Sequence, residues 1–212
     1  MQFSLENIET QLRCRCKYAY RWGKKQNDSW DSHTQFIYET FFWEELVGKM
    51  KSKIENHYFD KNEFFQYAAN RWYNFWSAMA VEQIFTEVEG IEPALSRKNR
   101  LVDFNLFGTN FDHKTSIFPK GFRQTLFYAQ AHEEELLHWL YNNQSQESRK
   151  HFENRLFLIV YAQNGAHWKL KSEISWLKSI ILNYVATFDA SKLKTLEFPT
   201  NKAVSDIIWA IK

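Results

Sequence analysis

The stretch LVDFNLFGTNFDHKTSIFP, residues 101–119, sets two carboxylates and an ammonium among mostly apolar residues with strand character. Its two segments flank Gly108-Thr109, a pair that favours a hairpin turn between antiparallel strands. Successive side chains of a strand point to opposite faces, so a charged residue between apolar neighbours points away from them. We therefore expect one face of this hairpin to pack against a core and the other to gather polar groups.

The polar residues of this hairpin fall on one face of each strand. Asp103 shares a face with Asn105 in the first strand, and Asp112 shares a face with Lys114 and Ser116 in the second. A two-residue turn at the glycine would set Asp103 opposite Lys114 and Asn105 opposite Asp112, whereas an odd-numbered turn would separate the two polar faces. An even-numbered turn therefore brings Asp103, Asp112 and Lys114 together.

A third carboxylate stands on the helical segment before the hairpin. Glu82 follows Phe75 by seven residues and Met79 by three, which places it in the apolar stripe of that helix. A carboxylate on such a face needs a partner, because burying an unpaired charge is strongly unfavourable. A metal ion would be such a partner; the alternative is a side chain that reaches solvent near the helix end.

These residues carry a family resemblance. Val-Asp at 102–103, followed nine residues later by Asp-His-Lys at 112–114, resembles the motif of the PD-(D/E)XK nuclease superfamily, with Val102 where the nominal motif has proline. Glu82 on the preceding helix and the helix and strand after the hairpin extend the resemblance over roughly residues 75 to 163. It implies a restriction-endonuclease-like fold with an α-β-β-β-α-β core, and metal-dependent hydrolysis of phosphodiester bonds.

The chemistry of the residues agrees with that activity. Carboxylates on neighbouring elements make an oxygen-rich site suited to Mg²⁺ or Mn²⁺, with Asp103 and Asp112 as ligands and Glu82 bound directly or through water. Lys114 would orient or deprotonate the attacking water and stabilise charge on the phosphate. The resemblance implies the backbone carbonyl of His113 as a further ligand, while its ring is expected to point away. The alternative is a cross-strand salt bridge on a solvated face.

Basic and polar residues elsewhere are candidates for binding phosphates. The run RCRCKYAYRWGKK, residues 13–25, carries six basic residues and three aromatics that could stack on bases. A second basic cluster comprises Arg149, Lys150, His151 and Arg155. In both clusters the alternative is a solvated surface with inward-packed aromatics. The predicted nucleic-acid contacts are Ser116, Lys120 and Arg123, the last two at the start of the next helix, together with Lys17 and Arg21.

Composition and patterning predict one α/β chain with α+β character. The 212 residues are 44% hydrophobic, enough for one sizeable core, and the net charge of +2 means that affinity for a polyanion must come from local clusters. We expect a single domain over 1–212, with an N-terminal helical extension over 1–60 and a nuclease-like core over about 61–212. Two cysteines in a Cys-x-Cys pair favour reduced thiols in a cytoplasmic protein, and no membrane segment is predicted.

Secondary structure follows from the hydrophobic pattern. Helices are expected at residues 4 to about 22, about 32 to 55, about 61 to 87, about 122 to 143, 172–188 and 204–212. Strands are expected within 87–95, 101–107, 110–118, 155–163 and 194–198. Because a helix leads into the buried strand at 155–163, we expect a parallel crossover and a mixed central sheet.

These inferences predict a Mg²⁺- or Mn²⁺-dependent nuclease acting on DNA, with RNA as another candidate substrate. A homodimer is expected if both strands of a palindrome are cut. The alternative is a catalytically inactive nucleic-acid-binding or scaffold protein that keeps the nuclease fold. The joint presence of Asp103, Asp112 and Lys114 favours the enzyme, since an inactive descendant could lose any one of them without unfolding.

Overall fold

The structure is a computed structural model that describes residues 3–21, 29–94, 101–143, 153–199 and 201–212. Within those residues the α-helices are α1 (Leu5–Arg15), α2 (Trp30–His33), α3 (Trp43–His57), α4 (Lys61–Thr86), α5 (Leu126–Ala131), α6 (Glu133–Asn143) and α7 (Ile174–Ala186). The strands are β1 (Ile91–Pro93), β2 (Phe104–Leu106), β3 (Thr109–Ile117), β4 (Arg155–Tyr161), β5 (Lys194–Glu197) and β6 (Lys202–Ile211). In the part of the chain described, no helix is long and apolar enough to cross a membrane.

The chain divides into two compact units. The first comprises Met1–Ala80 and Lys171–Ser175, and it contains α1, α2, α3 and most of α4. The second comprises Val81–Leu170 and Trp176–Lys212, and it contains the last turns of α4, the whole sheet, α5, α6 and most of α7. The hairpin and Glu82 therefore belong to the second unit.

The first helix is shorter than predicted because a buried arginine forms hydrogen bonds with the backbone of the residues that follow it. The helix ends at Arg15, and the Arg15 guanidinium donates hydrogen bonds to the carbonyls of Tyr18 at 3.2 Å and Ala19 at 3.0 Å. These bonds hold the backbone in a non-helical path, and residue 22, the predicted helix end, lies outside the described residues.

The second predicted helix, about 32 to 55, is interrupted, and the third is confirmed. The α3 helix begins only at Trp43, whose N–H donates to Gln11 Oε1 at 2.8 Å. Just before it, the Trp72 indole donates to the carbonyl of Thr40 at 2.7 Å, so side chains fix the break. The α4 helix follows the predicted span, and its Asp60 cap accepts the Glu63 N–H at 2.8 Å.

The sheet has six strands in the order β1-β2-β3-β4-β6-β5. The β1–β2, β2–β3 and β5–β6 pairs are antiparallel, whereas β3–β4 and β4–β6 are parallel. The predicted mixed sheet is confirmed. β4 lies in its centre, and its first six residues are all buried, as expected for an apolar strand covered on both faces. On one face, α6 packs Leu136 and Leu140 into a cluster that includes Phe157 and Ile159.

The hairpin turn lies one residue earlier than predicted. Leu106 pairs with Thr109, so the two turn residues are Phe107 and Gly108, with φ of 45° and 96°. Two positive φ values are characteristic of a type I′ turn, in which glycine is favoured at the second position, and the Asn105 side chain accepts the Gly108 N–H at 2.8 Å. Every predicted pair is therefore shifted by two residues, which leaves the side-chain faces unchanged.

Two helix predictions after the hairpin are wrong. The segment expected to form a helix at 204–212 is strand β6, because it has a sheet partner on each side, β4 and β5. The long helix expected at about 122 to 143 is two shorter helices that meet at His132, which has φ of −130°. The first of them begins at Leu126, where the side chain of Thr125 caps the helix.

Candidate functional site

Asp103 immediately precedes β2 and forms hydrogen bonds with β3 through both its backbone and its side chain. Its N–H donates to the carbonyl of Phe111 at 2.8 Å, and its Oδ2 accepts the His113 N–H at 2.7 Å. The end of α4 packs on the same hairpin, where the rings of Phe85 and Phe104 stack with centroids 4.5 Å apart. These contacts bring Glu82 toward the start of β2.

Glu82, Asp103 and His113 form a close group, here called the carboxylate–imidazole group. Each offers one oxygen or ring nitrogen that lies within 4.8 Å of the other two. The two carboxylates are half-buried, and His113 is 4% exposed. Among the described residues, this is the group of three or more such side chains whose spacing would suit a metal ion.

The predicted ligand Asp112 is held by two cations. Its Oδ1 accepts a hydrogen bond from Lys114 Nζ at 2.5 Å, and its Oδ2 accepts one from Arg155 Nε at 3.1 Å. The Lys114 side chain is 44% exposed, whereas those of Asp112 and Arg155 are 9% and 8% exposed. Asp112 is therefore a buried carboxylate with one buried partner, Arg155, and one partly exposed partner, Lys114.

Arg155, predicted from the sequence to belong to a basic phosphate-binding cluster, is an internal partner of Asp112. The other members of that predicted cluster, Arg149, Lys150 and His151, lie outside the described residues. The parallel register of β3 and β4 aligns Arg155 with Asp112, and its guanidinium lies 4.9 Å from the ring centroid of Tyr141. Burial raises the pKa of Tyr141 to about 12. The signal that could have indicated this pair is the opposite charge of Asp112, within β3, and Arg155, at the start of the neighbouring strand β4.

The electrostatic environment links Asp103 to both parts of the site. Burial raises the pKa of Asp103 above its ordinary value, and the neighbouring Asp112 carboxylate raises it further. The hydrogen bond from the His113 N–H and the charge of Lys114 act in the opposite direction. Asp103 thus adjoins the carboxylate–imidazole group on one side and the Asp112–Lys114 pair on the other.

The ring of His113 differs from the sequence expectation. The sequence predicts that the ring points away from the site, but one of its nitrogens belongs to the carboxylate–imidazole group. Alternation along β3 does direct the side chain of His113 to the face of the strand opposite to that of Asp112 and Lys114. Asp103, however, precedes the first residue of β2, where strand alternation no longer sets the direction of its side chain, and it can contact both sides of β3.

The candidate phosphate-binding residues are distributed over both units. In the second, Ser116 Oγ donates to the carbonyl of Ile117 at 3.1 Å, and Lys120 and Arg123 are exposed. Lys120 begins a short 3-10 helix that ends at Phe122, and Arg123 follows it with φ of 58°. Neither residue belongs to α5, which begins at Leu126, so their predicted place at the start of the long helix is wrong. In the first unit, Lys17 and Arg21 are exposed beyond the end of α1.

The site thus combines carboxylate oxygens, an imidazole and an accessible ammonium at the edge of one hairpin. Such a set can hold a divalent cation and can stabilise negative charge on a phosphoryl group. No family model, curated protein or solved structure matches this chain.

Proposed function

We propose that this chain is a divalent-cation-dependent nuclease that hydrolyses phosphodiester bonds, with DNA as its expected substrate. The observation that carries the proposal is the position of Asp103, which adjoins Glu82 on one side and the Asp112–Lys114 pair on the other. The same carboxylate can therefore contribute to a cation site while lying next to an ammonium that can contact a phosphate.

The order of elements supports this proposal. The last turns of α4 precede three antiparallel strands, β1 to β3, and two helices then lead to β4, which is parallel to β3. The resemblance to the PD-(D/E)XK superfamily implies this α-β-β-β-α-β order. We therefore infer a restriction-endonuclease-like core in the second unit, with β5 and β6 added beyond β4.

The donor set fits a divalent cation. Glu82 and Asp103 would hold it, and by resemblance the backbone carbonyl of His113 would be a further oxygen donor. When bound, such a cation supplies Lewis acidity toward the phosphoryl group and the attacking water.

Lys114 and Asp112 have complementary roles in this proposal. Lys114 would bind a phosphoryl oxygen and orient the attacking water, and its partly exposed side chain gives it access to substrate. Asp112 keeps Lys114 at the site through their hydrogen bond. If Asp112 also binds the cation, the contact it gives up would be the exposed one to Lys114, because the contact to Arg155 is buried.

The rival function is a catalytically inactive nucleic-acid-binding or scaffold protein. The observation that favours it is also at Asp112, where each carboxylate oxygen accepts a hydrogen bond from a cationic side chain. In that case Asp112, Lys114 and Arg155 form a structural ion-pair network, and the cation site is unnecessary for the role of the protein.

Cleavage assays distinguish the two functions. The full chain is incubated with supercoiled plasmid, single-stranded DNA and RNA, each with Mg²⁺, Mn²⁺ or a chelator. The proposal expects cleavage only with a cation, with Lys114→Met slower by at least about a hundredfold and Lys202→Met, an exposed control on β6, unchanged. Binding of nucleic acid without cation-dependent cleavage would favour the inactive protein.

A further inference from the structure

The imidazole of His113 introduces a nitrogen donor among the carboxylates of the proposed cation site. The side chain is 4% exposed, and one ring nitrogen lies within 4.8 Å of an oxygen of Glu82 and an oxygen of Asp103. A site made only of carboxylate and carbonyl oxygens would suit Mg²⁺, which prefers hard oxygen ligands. An imidazole changes this preference, because nitrogen ligands favour first-row transition metals.

The ring is held in position by its neighbours. Nε2 and the Thr115 hydroxyl are 3.0 Å apart, and the rings of Phe85 and Phe104 lie on its flanks, with centroids 6.1 Å and 6.3 Å away. Histidines that bind metals commonly use their second nitrogen in a hydrogen bond that orients the ring. Coordination through Nδ1, an atom buried in the protein, would leave the bond between Nε2 and Thr115 in place.

We propose that Glu82, Asp103 and the His113 imidazole form a mixed oxygen and nitrogen site that binds a first-row transition-metal ion in preference to Mg²⁺. This inference rests on the proposed function, because it takes Glu82 and Asp103 as cation ligands. It differs from the resemblance, which assigns only the backbone carbonyl of His113 to the metal. The residue at position 113 would therefore influence which metal ion binds, in addition to its place in strand β3.

Manganese is a suitable probe, because bound Mn²⁺ can be followed by calorimetry and by electron paramagnetic resonance. In the unaltered full chain, we expect Mn²⁺ to bind at least about tenfold more tightly than Mg²⁺. We also expect bound Mn²⁺ to show hyperfine coupling to a ¹⁴N nucleus. This second measurement needs no variant, so it remains decisive even if substitutions at His113 impair folding.

Matched variants then identify the nitrogen. His113→Gln should weaken Mn²⁺ binding by about 10- to 100-fold and abolish the ¹⁴N coupling, while Mg²⁺ affinity changes much less. Thr115→Val should weaken Mn²⁺ binding to a smaller extent. His132→Gln, which alters an exposed histidine of the same unit, should change neither affinity nor coupling.

The outcomes separate this inference from the proposed function. Bound Mn²⁺ without ¹⁴N coupling, equal Mn²⁺ affinity in His113→Gln, or no Mn²⁺ binding at all would overturn the inference. Mg²⁺-dependent cleavage together with one of those results would leave the nuclease proposal standing. Nitrogen-coupled Mn²⁺ in a protein that cleaves no nucleic acid would support the metal site and contradict the nuclease.

Discussion

Arg155 and Asp112 form an ion pair inside the second unit, with 3.1 Å between Nε and Oδ2 and each side chain less than a tenth exposed. They occupy paired positions on the parallel strands β3 and β4. Lys114 binds the other oxygen of Asp112 from the exposed side. One carboxylate thus has a buried partner and an accessible one, and the two partners should differ in their effects on stability.

Replacing the buried partner should strongly destabilise the protein. Arg155→Met leaves Asp112 buried without its inner cation, a change that typically costs about 3–5 kcal/mol of unfolding free energy. The guanidinium also loses its contact with the ring of Tyr141. Urea denaturation measures the effect, and the exposed Arg123→Met, expected to change stability by less than about 0.5 kcal/mol, is the control. A loss below about 1 kcal/mol would show that this pair does not stabilise the sheet.

Replacing the accessible partner should affect stability much less. Lys114→Met removes an ion pair whose lysine is 44% exposed, and such pairs contribute about 0–1 kcal/mol. The same variant is expected to lose most cleavage activity, so folding and function separate at this residue. Urea denaturation at neutral pH gives the comparison. If Lys114→Met were as destabilising as Arg155→Met, Lys114 would have a structural role instead.

Replacing glycine by alanine should have opposite effects on stability at Gly108, in the hairpin turn, and at Gly48, in a helix. Gly108 has φ of 96°, and a β-carbon added there meets no atom within 4 Å, so Gly108→Ala should cost about 1–2 kcal/mol through backbone strain alone. Gly48 lies within helix α3 with equally open space, so Gly48→Ala should add about 0.5–1 kcal/mol of stability. Thermal or urea unfolding measures both. A neutral or stabilising Gly108→Ala would contradict the turn.

The lowered pKa of Lys171 should make the stability of the folded protein depend on pH. The Lys171 side chain is half-buried in the first unit and donates a hydrogen bond to Asn74 Oδ1 at 3.3 Å, and desolvation of the ammonium lowers its pKa from 10.5 to about 8. Below about pH 8 the charge is present in both the folded and unfolded states, so the folded state bears the full burial penalty. Between about 8 and 10.5 the folded protein loses this proton first, and the penalty disappears as pH rises.

Lys171→Met should therefore be more stable than the unaltered protein at neutral pH. Its advantage should shrink as pH rises through the interval between the two pKa values. Urea unfolding of both proteins at neutral and alkaline pH measures the difference. An advantage that is constant, or that grows with pH, would show that burial does not depress the pKa of Lys171.

Side-chain alternation predicted the part of the site that depends on strand faces. The turn lies one residue earlier than predicted, which shifts the pairs by two and leaves the faces of the paired strand residues unchanged. The central strand β4 was also predicted, because a short, continuous apolar run is typical of a strand that is buried on both faces. Local pattern was sufficient for both features.

The features that depend on distant partners were not predicted. Strand β6 pairs with β4, about 50 residues earlier in the chain, although its own sequence pattern favours a helix. The sequence places Arg155 in a basic cluster, whereas the register of β3 and β4 aligns it with Asp112. The ring of His113 reaches the carboxylates because Asp103 lies just outside β2, beyond the reach of strand alternation.

The central claim is that Asp103 belongs to a cation site on which phosphodiester cleavage depends. The most direct test is the rate at which the unaltered chain and Asp103→Asn cleave labelled DNA with Mn²⁺, after urea denaturation has shown that both are folded. We predict cleavage by the unaltered chain that a chelator stops, and a rate at least about a hundredfold lower for Asp103→Asn. Equal rates for the two proteins, or no cation-dependent cleavage by the unaltered chain, would contradict the claim.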